Sequence, residues 1–349
     1  MNFDFSEEQV MLRDSVARFV QDDYDFDTRR AIADSDEGMN RQNWQTFAEL
    51  GWLSVPFAEE HGGFGGDAVD VMVMMEELGK GLVVEPYLAT VLMFGGLLQK
   101  GGSEAQQHEY IPRIIDGSLL GAFAYVERQS RFELADVKTT ATKSADGFTL
   151  NGEKVVVSNG ANADYAVVSA RTSGDQNDEH GISLFVVALD TEGVSRTTYR
   201  MMDGQLVANL TFDNVALAAD SLLGELDNGL GLIESVVLDV VVALASEAVG
   251  IMGQLNAKTL EYTKTREQFG VALGRFQALQ HRLVDTFMSY EQAKSLLYRA
   301  VCAQAEGSDD APRSIHALKV MIDRAGPHIY SEAIQMHGGM GLTDELDIG

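Results

Sequence analysis

The sequence predicts an α+β protein on three observations. Apolar residues recur at helical spacing from about residue 6 to 115, a period of two takes over from about 120 to 225, and helical spacing returns from about 228 onward. Helix, strand and helix in separate blocks fit the α+β layout. The expected domains are therefore 1–118, helical; 119–226, β; and 227–349, a helical bundle.

The elements follow in order. Ser6 reads as the cap of the first helix, whose apolar face is Val10, Leu12, Val16, Phe19 and Val20. The break 56–67 carries four glycines and predicts a tight loop with positive φ. No helix-opening Lys-Ser/Thr follows, so it is not a phosphate cradle. A helix over 71–82 stops at Gly79, with Glu76 and Glu77 as solvated or helix-pairing carboxylates. Residues 148–160 contain two β-rich runs joined at Asn151-Gly152, a hairpin signal. Further strands are expected at 165–170, 182–187 and 206–212, and helices over 230–262, 277–306 and 311–337.

Composition narrows the function. With 45% hydrophobic and 23% charged residues the chain is globular, and it has no run of about 18 apolar residues that would read as a membrane span. A net charge of −27 argues against nucleic acid, which demands a basic face, and against an anionic bilayer. The start, residues 1–8, is acidic and has no apolar h-region, so a secretory signal is not expected and cytoplasm is the expected compartment. The single Cys302 excludes an internal disulfide and reads as a buried structural thiol. The seven histidines lack ligand spacing, so no metal site is expected. Neither a nucleophile elbow nor a Gly-x-Gly-x-x-Gly occurs, which disfavours acyl-transfer catalysis and a nicotinamide dinucleotide fold. Any anionic ligand of so acidic a chain needs a local cluster of cations and backbone N–H groups.

The best place for such a cluster is Lys264-Thr265-Arg266-Glu267-Gln268-Phe269-Gly270, followed by Gly274-Arg275-Phe276-Gln277. It reads as a cationic helix end, a Gly-bounded turn and another amphipathic helix, and a guanidinium there could hold a pyrophosphate through paired N–H donors. The segment resembles the signature of acyl-CoA dehydrogenases. So do the loop from Pro56 to Gly62-Gly63 and Gln335-x-x-Gly338-Gly339-x-Gly341, and the resemblance covers nearly the whole chain. It implies a helical N-terminal domain, a β-barrel-like middle and a C-terminal four-helix bundle that forms a tetramer core.

The resemblance further implies FAD as cofactor, with Arg266, Gln268, Phe269, Gln335, Gly338 and Gly339 serving the flavin of an adjacent subunit. Val126 and Ser158 would border the ring of the chain's own flavin. Here the pattern departs from the family: Val126 stands where a hydroxyl residue is usual, Arg128 replaces a proline, Phe132-Glu133 replace Ser-Asp, and Val156 replaces a tryptophan. Dehydrogenation also needs one carboxylate base for the α-proton. The family places it in a C-terminal Tyr-Glu-Gly-Thr segment, which this sequence, ending at Gly349, does not reach, or on the helix opening the bundle, where Val240 and Val241 stand. Asp239 and Glu247 are the remaining candidates; one helical step turns Asp239 by about 100° from Val240.

These departures resemble the smaller, partner subunit of heteromeric acyl-CoA dehydrogenases acting on dicarboxylyl (pimeloyl-like) or steroid side-chain CoA esters. The expectation is an acyl-CoA dehydrogenase subunit, in a homo-oligomer or an α2β2 assembly with a larger subunit, that passes electrons to an electron-transfer flavoprotein. The alternative is a scaffold subunit of the same fold that binds no flavin.

Overall fold

The computed structural model describes residues 4–349; the first three residues of the acidic start lie outside it. The chain forms two compact units: residues up to Arg29 with Asp67–Val83 and Val241–Gly349, and Arg30–Gly66 with Val84–Val240.

The helical unit contains α1 (Glu7–Asp23), α4 (Ala68–Lys80), most of α7 (Leu230–Thr265), α8 (Gln277–Ala305) and α9 (Ala311–His337). Ser6 caps α1 with a capping box in which Ser6 and Gln9 satisfy each other's backbone N–H. Asp67 and Asp70 do the same for α4, so that helix opens three residues before the expected 71 and runs to Lys80. Gly79 is not its stop. It lies buried inside the helix, where an added Cβ would fall 2.3 Å from the Glu247 carbonyl oxygen on α7. Gly250 answers it: a Cβ there would lie 2.0 Å from the Glu76 carbonyl oxygen. The two helices thus cross backbone to backbone. The carboxylates beside this crossing pair rather than face solvent, Glu77 with Lys80 at 2.6 Å and Glu76 with Lys294 of α8 at 3.5 Å.

By length and composition α7 could cross a bilayer, which a search for uninterrupted apolar runs misses because Asp239 and Glu247 break the run. Half of its most apolar window is buried inside the chain, the pattern of a core helix. Cys302, expected to be buried, is half-buried on α8 and unpaired by disulfide.

The other unit holds α3 (Arg41–Glu49), a buried π-helical stretch at Leu88–Gly95, α5 (Gly96–Gly101), α6 (Glu104–Ile115) and an eight-stranded sheet; α2 (Phe26–Asp34) leads into it. The strands are β1 (Gly121–Ala124), β2 (Thr140–Lys143), β3 (Gly147–Ser158), β4 (Tyr165–Arg171), β5 (Ile182–Ala188), β6 (Val194–Arg200), β7 (Leu206–Ala218) and β8 (Leu222–Leu223). Their order is β6-β7-β3-β2-β4-β5-β8, with β1 added parallel to β4. The core is formed by inward residues such as Phe148, Leu150, Phe185, Leu210 and Phe212.

Asn151-Gly152 does not form a hairpin. β3 runs straight through it, with a register shift against β7 between Leu150 and Gly152. The turn falls earlier, between β2 and β3, where Ser144 N–H donates to Gly147 O at 2.8 Å. Gly152 is needed for closeness instead, since a Cβ would meet Thr139 Oγ1 at 2.5 Å. In the loop after α3, Gly62 and Gly65 have the predicted positive φ, whereas Gly63 lies where a Cβ would strike the Phe57 carbonyl at 1.9 Å.

Candidate functional site

The helical bonding of α7 extends past Thr265, with Arg266 N–H donating to Tyr262 O at 2.8 Å. The chain then folds into a small hairpin, β9 (Glu267–Gln268) against β10 (Val271–Ala272), whose base closes through Leu273 N–H to Arg266 O at 2.8 Å. Its two loop residues, Phe269 at φ 56° and Gly270 at φ 80°, both have the positive φ of a type I′ turn. Glycine takes that conformation freely, but an aromatic residue there is an outlier, and such strain concentrates at functional positions. The turn holds Phe269 89% exposed, its ring edge-on to Phe276. Gln268 is exposed and donates to Glu267 O at 2.7 Å. Arg266 is exposed, and its guanidinium has no hydrogen bond or ion pair among the described residues. Lys264 differs, its ammonium lying 2.6 Å from Glu261.

The end of α9 is fastened to this place. The Tyr262 ring stacks on His337 with centroids 4.3 Å apart, and its hydroxyl donates to His337 O at 3.3 Å. His337 is buried and its Nδ1 meets Ala333 O at 2.7 Å. Directly after it, Gly338 turns the chain at φ 62°, and a Cβ added at Gly338 or Gly339 meets nothing within 4 Å. Gln335, Gly338 and Gly339 are all exposed. The fold therefore gathers Arg266, Gln268, Phe269, Gln335, Gly338 and Gly339 at one end of the helical unit. The Gly338 N–H is spent on Gln335 O, so the free cationic donor among these residues is the Arg266 guanidinium, whose paired N–H groups fit a diphosphate such as that of FAD, while the side-chain-free surface at Gly338 and Gly339 leaves room for one.

Val126 and Ser158 belong to the other unit, both half-buried. Val126 follows β1, and its carbonyl accepts the Val155 N–H at 2.9 Å; Ser158 ends β3 opposite Val207. Between them β3 shifts register against β7 from Lys154 to Val157, and Val156 sits in that shift at φ 53°, 42% exposed. A β-branched residue at positive φ is strained. Its N–H leaves the ladder and is taken by Asn209 Oδ1 at 3.1 Å, an oxygen that also accepts the Tyr199 hydroxyl at 3.1 Å.

Beneath this bulge lies a buried ion pair between two residues of the resembling motifs whose partnership the sequence does not show. Lys154 Nζ, wholly buried, lies 2.7 Å from Glu127 Oε1 and donates to Ser169 Oγ at 3.0 Å. Glu127 also accepts the Lys138 and Thr139 N–H groups, at 2.8 and 3.0 Å, and Gln129 Nε2 at 2.8 Å. Burial pushes the Glu127 carboxyl up, but the Lys154 ammonium and these donors outweigh it and hold it down at about 2. Burial pushes Lys154 down to about 8 against the pull of the same carboxylate. The signal was present in the alternation of β3, where Lys154 shares the inward parity of Phe148 and Leu150. A lysine at a core position needs a carboxylate partner.

Of the candidate bases, Asp239 is held by Lys100, with Nζ 2.5 Å from Oδ2. Glu247 sits half-buried on α7 at its crossing with α4. Val240 is buried. Among the described residues no group of His, Cys, Asp and Glu could hold a metal ion.

Comparison with known proteins gives one answer along the chain. It matches "Acyl-CoA dehydrogenase, N-terminal domain" over residues 6–118, the middle domain over 122–215 and the C-terminal domain over 227–349. It is 32% identical over 312 residues to the short-chain-specific acyl-CoA dehydrogenase of Megasphaera elsdenii, covering 86% of this chain and 80% of that protein. Among solved structures, butyryl-CoA dehydrogenase from Megasphaera elsdenii aligns with a TM-score of 0.91 at 28% identity, over 100% of this chain and 92% of that one. A chain solved in work on the electron transferring flavoprotein of Acidaminococcus fermentans and flavin-based electron bifurcation aligns with a TM-score of 0.92 at 28% identity, over the same shares. The α+β architecture read from the sequence is the fold of these enzymes, and the chain belongs to the acyl-CoA dehydrogenase family.

Proposed function

We propose that this chain is a subunit of an acyl-CoA dehydrogenase that lends one end of its helical bundle to the flavin of a neighbouring subunit. Members of the family are FAD-dependent oxidoreductases acting on acyl-CoA, and FAD when bound supplies the acceptor for the substrate's β-hydride. The observation that carries the reading is the junction at Tyr262 and His337, which brings the segment of the unpaired Arg266 and the segment of Gly338 and Gly339 to one end of the helical unit. Arg266 would bind the diphosphate through paired N–H groups, and the glycines would let it approach the backbone. Phe269, at the tip of its hairpin, would cover the same ligand. Val126 and Ser158 would border the ring of the chain's own flavin in the other unit.

Among the described residues, the two candidate bases are both held in place by packing or pairing. Asp239 is engaged by Lys100, and Glu247 lies at a packed helix crossing. The departures at Val126, Arg128 and Val156 support a partner-subunit role, with the base and acyl cleft supplied by a larger subunit of an α2β2 assembly or by a longer C-terminus, and with a dicarboxylyl or steroid side-chain CoA ester as substrate class. An electron-transfer flavoprotein would be the acceptor and the cytoplasm the compartment.

The test compares the purified chain with the same chain co-expressed with a larger acyl-CoA dehydrogenase subunit. Each is scanned for oxidised-flavin absorbance and assayed with straight-chain, dicarboxylyl and steroid CoA esters and an artificial acceptor. Flavin and turnover are expected in the co-expressed complex, with little or no turnover from the chain alone. Robust turnover by the chain alone would defeat the partner-subunit assignment, and a colourless complex would leave a scaffold.

A further inference from the structure

We propose that Glu127 and Lys154 are positioning residues that clasp the Val126 backbone to the β3 bulge and so set the flavin-bordering edge of the sheet unit. The inference rests on the reading above that Val126 and Ser158 border a flavin. It is carried by where the hydrogen bonds go. Glu127 takes the N–H groups of Lys138 and Thr139, which ties the two ends of the loop from Val126 to Thr139 together. Lys154, the last residue before the register shift, reaches Glu127, Ser169 and the Tyr125 carbonyl at 2.7, 3.0 and 3.4 Å. The next residue, Val155, gives its N–H to Val126 O, and Val156 gives its own to Asn209.

The loop between is held as firmly. Gln129 links Glu127 to Asp136, whose carboxylate also accepts Gln176 Nε2 at 2.5 Å. The buried Arg171 then donates to the carbonyls of Ala135, Gln176, Asp178 and His180. A loop that has lost the family's usual flavin-contacting side chains thus keeps a full set of bonds fixing its backbone. Backbone placement rather than side-chain chemistry is what this edge retains. Two opposite charges at the bottom of the bulge cost desolvation that is repaid only by close geometry and further hydrogen bonds, and Glu127 and Lys154 have both.

The experiment uses the full chain co-expressed with its larger partner. Glu127→Gln keeps the shape and removes the charge, and Lys154→Met removes the ammonium. Phe185→Leu, in the core of the same sheet, serves as a control that loosens packing without touching the clasp. The readouts are FAD affinity, from titration of the deflavinated complex, and the visible circular dichroism of bound flavin, with melting temperature measured alongside. The clasp predicts that Glu127→Gln and Lys154→Met each weaken FAD binding about tenfold and alter the flavin dichroism, while Phe185→Leu at a similar loss of melting temperature alters neither. Unchanged affinity and dichroism in both clasp variants would overturn the inference. A wild-type complex that takes up no FAD at all would instead overturn the flavin reading, and the two failures are told apart by the wild type alone.

Discussion

Lys100 reaches across from α5 to α7, its ammonium 2.5 Å from Asp239 Oδ2 and 2.8 Å from Ser235 Oγ. The carboxylate nearest in sequence to the position of the family's base is thus occupied by a cation. Asp239→Asn should leave turnover of the assembled enzyme within about twofold and cost under ~1 kcal/mol, because the pair is about one-third exposed. Steady-state kinetics and urea unfolding check it. Loss of turnover with intact folding would make Asp239 the base.

Arg266 and Lys264 lie two residues apart but in different settings, Arg266 unpaired and Lys264 bonded to Glu261. Arg266→Ala should lower FAD retention after gel filtration several-fold more than Lys264→Ala does, since a fixed guanidinium bond to phosphate exceeds a solvated lysine's contribution. Equal retention would remove Arg266 from the site.

The glycines of the α4–α7 crossing admit no side chain. Gly79→Ala or Gly250→Ala forces a methyl into a backbone carbonyl and should cost about 2 kcal/mol or more, the upper range for overpacking. Differential scanning calorimetry would register either as a clear fall in Tm. An unchanged Tm would mean that the helices separate without penalty.

Glu127 gives the fold an acid limb. Its carboxyl titrates near 2 when folded against an ordinary 4.5, so its stabilisation is complete above about pH 4.5 and is lost as pH falls through about 2. The contribution is on the order of 3 kcal/mol. Lys154 works in the opposite direction, since a folded value near 8 against 10.5 means that burial penalises the ammonium at neutral pH and relaxes as pH rises from 8 to 10.5. Urea midpoints measured from pH 5 to pH 2 should fall less steeply for Glu127→Gln than for the wild type. Parallel curves would show that Glu127 carries no such linkage.

Local rules read well where neighbours in sequence decide the structure. Ser6 and Gln9 announce α1, and the expected last helix, 311–337, coincides with α9. They fail where distant atoms decide. Asn151-Gly152 has the letters of a hairpin turn, yet Thr139, twelve residues upstream of Asn151, requires the glycine for space, and the strand continues. The type I′ turn that does form carries Phe269 in its first position, against the usual asparagine or glycine, and was legible only as a bounded turn. Glu127 and Lys154 are 27 residues apart, so either can be seen in the sequence but their partnership cannot. The flavin candidates at Arg266 and Gln335 rested on family resemblance, and it took the Tyr262–His337 stack to bring their segments to one place.

The hairpin tip carries one more consequence, which concerns handedness. Phe269 and Gly270 both take φ values natural to a residue of the opposite hand, and nothing lies within 4 Å of where a Cβ on Gly270 would sit. Space is therefore no obstacle at position 270; chirality alone is. A protein assembled by peptide ligation with D-alanine at 270 should close the same turn and present Phe269 unchanged, whereas L-alanine should weaken it by about 1–2 kcal/mol on top of the strain already carried by Phe269, so that one stereocentre sets how firmly this aromatic ring is presented.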